Sequence, residues 1–349
     1  MSLYRFFQIQ IWFSTHPLAM FDFSFIVKST MKVERVGLLP GDLVLNMKFL
    51  IVLMLYNFLT SLVQGATAKK KVETSPVIVD GKLSEEGRWP WMVSITAKHK
   101  RKAFNCGGML ITKYWVLTAA HCLYVNEKNN KLFSINNLKL VIGSVDIENY
   151  GPDTHVSEVS KYIHHPGFVM ADLHKKNNDI ALLKMSNPVP SKDFQPITIG
   201  PPNIPKIGDM CMAMGWGCAK YGTKQPTQNE LYEVILPILS LSKCSKTFKE
   251  LCSGNTSTKI CAGYFERDRG ICPGDSGGPL ICRFKQKWVL SGITSFTLSH
   301  LPAIFTKVTS YEKWINETIS NDFKENSDQL ADEDRYEILP HYIKQISGN

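Results

Sequence analysis

Cysteine is missing from the first 105 residues of this 349-residue sequence and from every position after Cys282. All nine cysteines lie between Cys106 and Cys282. This distribution indicates a disulfide-bearing module that matures in an oxidising compartment and follows a cysteine-free leader.

The sequence also has no apolar run as long as a membrane-spanning helix, which needs roughly 20 residues. An apolar stretch runs from Phe49 to Val63, about 15 residues, and small residues follow it. This pattern predicts a signal peptide over residues 47–68 and a secreted protein, either extracellular or in a secretory granule. Residues 1–46 are then an extension that comes from a mis-chosen start codon or is real. A membrane partner is expected only in the second case, with the run as an uncleaved anchor.

Composition is that of a globular protein with a sizeable core, 44% hydrophobic and 20% charged. The net charge of +9 suits an acidic polymer or simply a basic secreted protein, and we expect the second, with no nucleic-acid partner. The basic run Lys98–Lys102 predicts a solvated loop, with a polyanion- or substrate-binding patch as the alternative.

Short β-rich runs separated by polar turns recur through the middle of the chain, from Trp91 to Ile142 and again from Met210 to Lys307. No long helical pattern intervenes. Regularly spaced short strands of this kind predict an all-β barrel or sandwich.

A serine lies among glycines in the segment Gly274-Asp275-Ser276-Gly277-Gly278-Pro279. Glycine has no Cβ, so a substrate carbonyl can approach this backbone, and the amides of Gly274 and Ser276 are available to a developing oxyanion. A serine nucleophile also needs a base and a group that orients the base. The sequence offers His121 in Thr-Ala-Ala-His-Cys and Asp179 in Asn-Asp-Ile-Ala-Leu-Leu.

With these three residues in this order and in these contexts, the sequence resembles the chymotrypsin-like (trypsin-family) serine proteases. The resemblance covers residues 78–319, roughly two thirds of the chain. It implies two six-stranded antiparallel β-barrels, at about 78–200 and 201–310, and a C-terminal α-helix capped by Ser310 that ends at Ile319. Further landmarks are Trp89-Pro90-Trp91, Cys106-Gly107-Gly108, Gly215-Trp216-Gly217, Lys259–Gly263 and Tyr311–Ile315.

The resemblance implies a secreted endopeptidase that needs no cofactor or metal. Ser276 is the expected nucleophile, His121 the base and Asp179 its orienting carboxylate, with Ser295 supporting the aspartate. Protein or peptide substrates and proteinaceous inhibitors are the expected partners of a monomer. The alternative is a catalytically silent binding module on the same scaffold.

The resemblance also implies that the protein is activated by cleavage of a precursor. Residues 69–77 predict a short propeptide, and Ile78 resembles the family's mature N-terminus, whose new ammonium is expected to pair with Asp275. Val77, and not Lys or Arg, precedes the bond to be cut. A trypsin-like activator is therefore disfavoured, which leaves an elastase-like activator or a zymogen that is seldom activated.

The resemblance places the floor of the substrate pocket at Gly270, where no carboxylate would pair with a cationic side chain. We therefore expect cleavage after small or medium apolar residues and not after Lys or Arg. The expected walls are Ile271, Pro273, Ser295, Phe296, Thr297 and Ala303.

Three disulfides are implied, Cys106–Cys122, Cys211–Cys282 and Cys244–Cys261. This leaves Cys218, Cys252 and Cys272 for one further bond and one free thiol. The family's partner for Cys272 lies downstream, yet residues 295–307 contain no cysteine.

Asn255 and Asn316 begin glycosylation sequons. Residues 320–349 are polar and predict a mobile tail, with a docked amphipathic segment over 336–346 as the alternative.

Overall fold

The computed structural model describes residues 54, 81–100, 102–126, 130–170, 177–190, 194–218, 229–247, 256–265, 270–298 and 301–326. The chain separates into two units, residues 1–72 and 73–349, and every described strand belongs to the second. Apart from Met54, the predicted extension, signal peptide and propeptide lie outside the described residues, as do Ile78, Cys252 and Asn255. Within the described part, no helix has both the length and the apolar character needed to cross a bilayer.

The described residues form fifteen β-strands, two α-helices and four 3₁₀ turns. The helices are α1 (Leu241–Thr247) and α2 (Glu312–Asn326). The turns are Ala120–Leu123, Ile135–Asn137, Thr256–Thr258 and Val308–Tyr311. The strands are β1 (Lys82–Leu83), β2 (Met92–His99), β3 (Lys102–Leu110), β4 (Trp115–Thr118), β5 (Tyr124–Asn126), β6 (Lys131–Leu132), β7 (Leu138–Ile142), β8 (His155–His164), β9 (Ala181–Met185), β10 (Met210–Gly215), β11 (Tyr232–Leu239), β12 (Lys259–Ala262), β13 (Pro279–Phe284), β14 (Lys287–Phe296) and β15 (Ala303–Lys307).

The first barrel closes in the order β2-β3-β4-β9-β8-β7, with antiparallel neighbours. Buried and exposed side chains alternate along its strands because one face of the sheet packs inward. In β8, for example, Ser157 and Val159 are buried while Val156 and Glu158 are exposed. Branched aliphatic side chains from all six barrel strands meet inside, with Val159 as the contribution of β8.

The second barrel follows the order β11-β10-β13-β14-β15-β12 and closes through pairing of β11 with β12, while β1 adds a short seventh strand to β11. Phe305, Leu280 and Leu236 fill its interior. The predicted pair of six-stranded antiparallel barrels is therefore confirmed.

A third apolar cluster contains residues of both barrels and of α2. Leu117 and Ile180 come from the first barrel side, Met214 and Ile293 from the second, and Ile315 from the helix. Burial of these side chains on both partners favours docking of the barrels at about 25 cal/mol per Å² of apolar surface removed from water. This seam brings the predicted site residues together.

The C-terminal helix differs from the prediction in both its start and its end. It begins at Glu312 after a 3₁₀ turn, so Ser310 does not cap it and instead donates to the carbonyl of Ser257 at 3.3 Å. It continues past Ile319 to Asn326. The extra turns carry Asp322, which is buried and accepts from two lysines of the first barrel.

These ion pairs dock the end of α2 onto the first barrel. Lys161 Nζ lies 3.0 Å from Asp322 Oδ1, and Lys184 Nζ lies 2.6 Å from Oδ2. The hydrogen bond to Asp322 raises the pKa of Lys161 above its ordinary value. Glu325 approaches Lys161 at 3.4 Å from an exposed position.

We predict that Asp322→Asn lowers the free energy of unfolding by about 2 kcal/mol, because two charge-assisted hydrogen bonds to a buried acceptor are weakened. Glu325→Gln is the matched control and should cost under about 0.5 kcal/mol, since its ion pair is solvent-screened. Urea unfolding followed by tryptophan fluorescence measures both. Equal effects of the two substitutions would contradict this role for Asp322.

Candidate active site

Asp179 lies at the seam of the two barrels, two residues before β9. Its backbone carbonyl accepts a hydrogen bond from Thr306 Oγ1 at 2.9 Å, on β15 of the second barrel. Asn178 precedes it with φ of +56°, a conformation that asparagine tolerates. Tyr311 OH donates to Asn178 Oδ1 at 3.0 Å, and burial raises the pKa of Tyr311, which keeps this hydroxyl a neutral donor. The aspartate is thus fixed from both barrels.

The carboxylate of Asp179 is fully buried and accepts three hydrogen bonds. Oδ1 accepts from the backbone amide of His121 at 2.9 Å. Oδ2 accepts from His121 Nδ1 at 2.8 Å and from Ser295 Oγ at 2.5 Å. An ionised carboxylate only accepts, so Nδ1 carries the proton and Nε2 is left with a free lone pair. The imidazole is oriented as a base.

The loop of Ser276 is fixed to the first barrel by its backbone. Gly107 donates its amide to the carbonyl of Ser276 at 2.7 Å, and Thr118 Oγ1 donates to the carbonyl of Gly107 at 2.8 Å. Gly107 follows Cys106, whose disulfide partner Cys122 follows His121. One covalent bridge therefore ties the base to the strand that holds the serine.

Five consecutive amides in this loop divide into two groups. Those of Asp275, Gly277 and Gly278 donate to protein carbonyls, whereas those of Gly274 and Ser276 donate to no acceptor among the described residues. Gly274 has φ of +104°, which a residue with a Cβ rarely adopts. The two free amides are the pair predicted from sequence as oxyanion donors.

The hydrogen bond expected between His121 and Ser276 is absent from the contacts of the described residues: His121 Nε2 makes no direct hydrogen bond to Ser276 Oγ. Its recorded neighbour is Cys122 Sγ at 3.9 Å. Hydrogen bonds of this kind are often long without substrate and tighten in the reacting complex. The structure therefore links Asp179, His121 and Ser295 directly and holds Ser276 through its backbone.

Comparison with known proteins agrees with this geometry. The family model described as Trypsin matches residues 78–315. A curated tryptase from Mus musculus is 33% identical over 286 residues, which cover 78% of this chain and 99% of that protein. The chain belongs to the trypsin family of serine proteases.

A second buried carboxylate in this trypsin-family domain is Asp275, beside the serine. Oδ1 accepts from the amide of Gly217 at 2.8 Å and Oδ2 from the amide of Cys272 at 2.7 Å. A Cβ on Gly217 would lie 2.6 Å from Asp275 Cγ, so only glycine admits the carboxylate here. Burial raises the pKa of Asp275 to about 7, against the lowering effect of the two amides.

The residues predicted to form the substrate pocket lie in different surroundings. Ile271 and Ala303 belong to the interior cluster of the second barrel, and Thr297 Oγ1 donates to the carbonyl of Ile271 at 3.4 Å, which joins two of the predicted walls. Phe296 packs instead against a separate cluster around Ile304. Pro273 is exposed, and Gly270 is half-buried with open space where a Cβ would point.

The described residues of the trypsin-family domain form four disulfides. Three are the pairs that the resemblance implied, and the fourth joins Cys218 to Cys272. Cys106, His121 and Cys122 also lie close enough to suggest a metal site. Both sulfurs are bonded to each other, so neither offers the thiolate that a metal needs.

Three residues that hold the site were not identified from sequence, namely Thr306, Tyr311 and Cys218. Thr306 and Tyr311 act through contacts with Asp179 and Asn178 more than 120 residues away in sequence. No local pattern marks such partners. Of the glycosylation sequons, Asn316 is half-buried on α2, and Asn255 lies outside the described residues.

The buried carboxyl of Asp275 predicts how the stability of the uncleaved chain depends on pH. Its folded pKa of about 7 lies above the ordinary 3.8. The folded chain therefore keeps a proton that the unfolded chain loses, and the stability present below pH 4 is lost as pH rises through 7. The limit is about 4 kcal/mol.

We predict that this loss disappears in Asp275→Asn, because the amide does not ionise in this range. Urea unfolding between pH 4 and pH 8 measures the difference between wild type and variant, which should change in the variant's favour as pH rises. Parallel pH profiles would show that Asp275 is not protonated in the folded chain.

Proposed function

We propose that the chain is a secreted serine endopeptidase, made as a zymogen, that hydrolyses peptide bonds through an acyl-enzyme on Ser276. The observation that carries this proposal is the buried Asp179 carboxylate bound to His121 Nδ1, together with the two unused amides of Gly274 and Ser276. Family membership and four disulfides support a protease of an oxidising compartment.

The proposed reaction begins with attack of Ser276 Oγ on the scissile carbonyl carbon, while His121 Nε2 takes the hydroxyl proton. Asp179 stabilises the imidazolium through Nδ1. The amides of Gly274 and Ser276 bind the oxyanion of the tetrahedral intermediate. His121 then protonates the leaving amine, and water repeats the sequence on the acyl-enzyme. None of these steps needs a cofactor.

We further propose that the pocket accepts small or medium apolar side chains. Two observations support this: Ile271 and Ala303 are buried with the apolar interior residues of the second barrel, and position 270 is a glycine, which brings no carboxylate to pair with Lys or Arg. Substrates are peptides or proteins, proteinaceous inhibitors are the other expected partners, and we infer that the mature protein is a monomer that begins at Ile78.

A second candidate is a binding module that keeps the protease scaffold without activity. It is favoured by the missing hydrogen bond between His121 and Ser276 among the described contacts, and by Val77 before the bond expected to be cut. Activity of Ser276 separates the two candidates.

We expect a fluorophosphonate probe to label Ser276 in the chain cleaved before Ile78, since the probe reacts with a serine whose base and oxyanion donors are in place. Ser276→Ala should abolish labelling and reduce peptide hydrolysis by roughly 10³ to 10⁶-fold. Ser310→Ala, which changes a serine outside the site, is the control and should leave both unchanged. An unlabelled, correctly folded wild type would favour the binding module.

The uncharged residue at the predicted pocket floor, Gly270, leads to a prediction about specificity. Gly270→Asp places a carboxylate where no atom of the described residues outside its chain neighbours lies within 4 Å of the new Cβ. It should raise kcat/KM for Lys or Arg relative to Leu before the cut by about 100-fold. Profiling on a peptide library measures the ratio. Gly151→Asp adds the same charge at an exposed, open position and should not change it. An unchanged profile in Gly270→Asp would disprove the assignment of the floor.

A further inference from the structure

The disulfide Cys218–Cys272 closes a ring around the carboxylate of Asp275. One amide donor to this carboxylate is that of Cys272 itself, and the other is that of Gly217, the neighbour of Cys218. The disulfide joins the two donor segments covalently, with their Cα atoms 5.5 Å apart. Moving either amide away from Asp275 therefore requires moving both segments.

The same disulfide segment also controls the peptide group that precedes the oxyanion donor. The amide of Cys218 donates to the carbonyl of Pro273 at 3.1 Å. The peptide bond between Pro273 and Gly274 is trans and planar, so its carbonyl and its N–H point in opposite directions. Fixing the carbonyl of Pro273 toward Cys218 therefore directs the N–H of Gly274 to the other side, where it meets no described acceptor.

These contacts exist while the chain is continuous through Ile78. In this state the nitrogen of Ile78 is a peptide amide and carries no charge, and Asp275 already has two backbone donors. The residue immediately before Ile78 is Val77, so a protease that cuts after Lys or Arg would not cleave this bond. Both facts point to a loop that does not depend on a new N-terminus.

We propose that the Cys218–Cys272 disulfide is a positioning element that holds the amides of Gly274 and Ser276 in their oxyanion-binding arrangement before cleavage, so that the uncleaved chain already reacts at Ser276. This inference rests on the proposed function and changes one part of it: the precursor is reactive before cleavage, and cleavage adds to a site that already exists. Cleavage before Ile78 then gives Asp275 a second partner but does not create the site.

The test compares the full chain before and after cleavage at the Val77–Ile78 bond, introduced through a specific recognition sequence at residues 73–77, with both states verified by mass spectrometry. The measured quantity is the second-order rate of labelling of Ser276 by a fluorophosphonate. For wild type we expect the uncleaved chain to react within about tenfold of the cleaved chain.

The variant Cys218→Ala/Cys272→Ala removes the Cys218–Cys272 disulfide, which we call the clasp. Its uncleaved form should lose about 100-fold or more in labelling rate, the effect of misplacing one oxyanion donor. Its cleaved form should recover to within about tenfold of wild type, because the ammonium of Ile78 then holds Asp275. A purely structural disulfide would lower both forms equally.

The control Cys244→Ala/Cys261→Ala removes another disulfide of the same barrel, in the separate cluster with Ile304, and should leave the ratio of the two rates unchanged. The proposal is overturned if uncleaved wild type fails to react while the cleaved form reacts. It is also overturned if removing the clasp leaves the ratio as it is in wild type.

If no form of the chain reacts, the proposed function fails. Hydrogen exchange then tests separately whether the clasp holds the two amide donors of Asp275 in place. The amides of Gly217 and Cys272 should be protected in the uncleaved chain and exchange at least about tenfold faster in Cys218→Ala/Cys272→Ala. Equal exchange rates in the two proteins would overturn the positioning role of the clasp, whatever the activity.

Discussion

The buried carboxylate of Asp179 is the constraint on which the rest of the site depends. A charge removed from water is costly unless hydrogen bonds replace its hydration, and here the donors come from both barrels. His121 supplies two from the first barrel and Ser295 one from the second, while Thr306 fixes the backbone. This set is complete only when the barrels are docked, so the same contacts that stabilise the seam also orient the imidazole.

A second buried carboxylate, Asp275, immediately precedes Ser276 in the chain and has a different set of partners. Its described donors are backbone amides alone, and it keeps a proton up to about neutral pH. The first carboxylate orients the imidazole of His121, and the second accepts from the amides of Gly217 and Cys272. The two buried acids therefore differ in how the burial of their charge is compensated.

Sequence reasoning succeeded where the signal is local. Apolar runs bounded by turns predicted the strands, while the catalytic roles that short motifs assign to His121 and Ser276 stay predictions. It failed where the determinant is a distant partner. The end of α2 depends on Asp322 meeting Lys161 and Lys184, which lie 161 and 138 positions away. The pairing of Cys218 with Cys272 likewise stayed open, since three unassigned cysteines allow more than one bond.

A crystal structure of the cleaved protein with a phosphonate bound covalently to Ser276 Oγ tests the central claim most directly. The account predicts that the amides of Gly274 and Ser276 both lie about 2.7–3.1 Å from the phosphonyl oxygen. It also predicts His121 Nε2 within about 3.2 Å of Ser276 Oγ, with Nδ1 still on Asp179. A phosphonyl oxygen turned away from these amides, with the imidazole out of reach of Ser276, would contradict it.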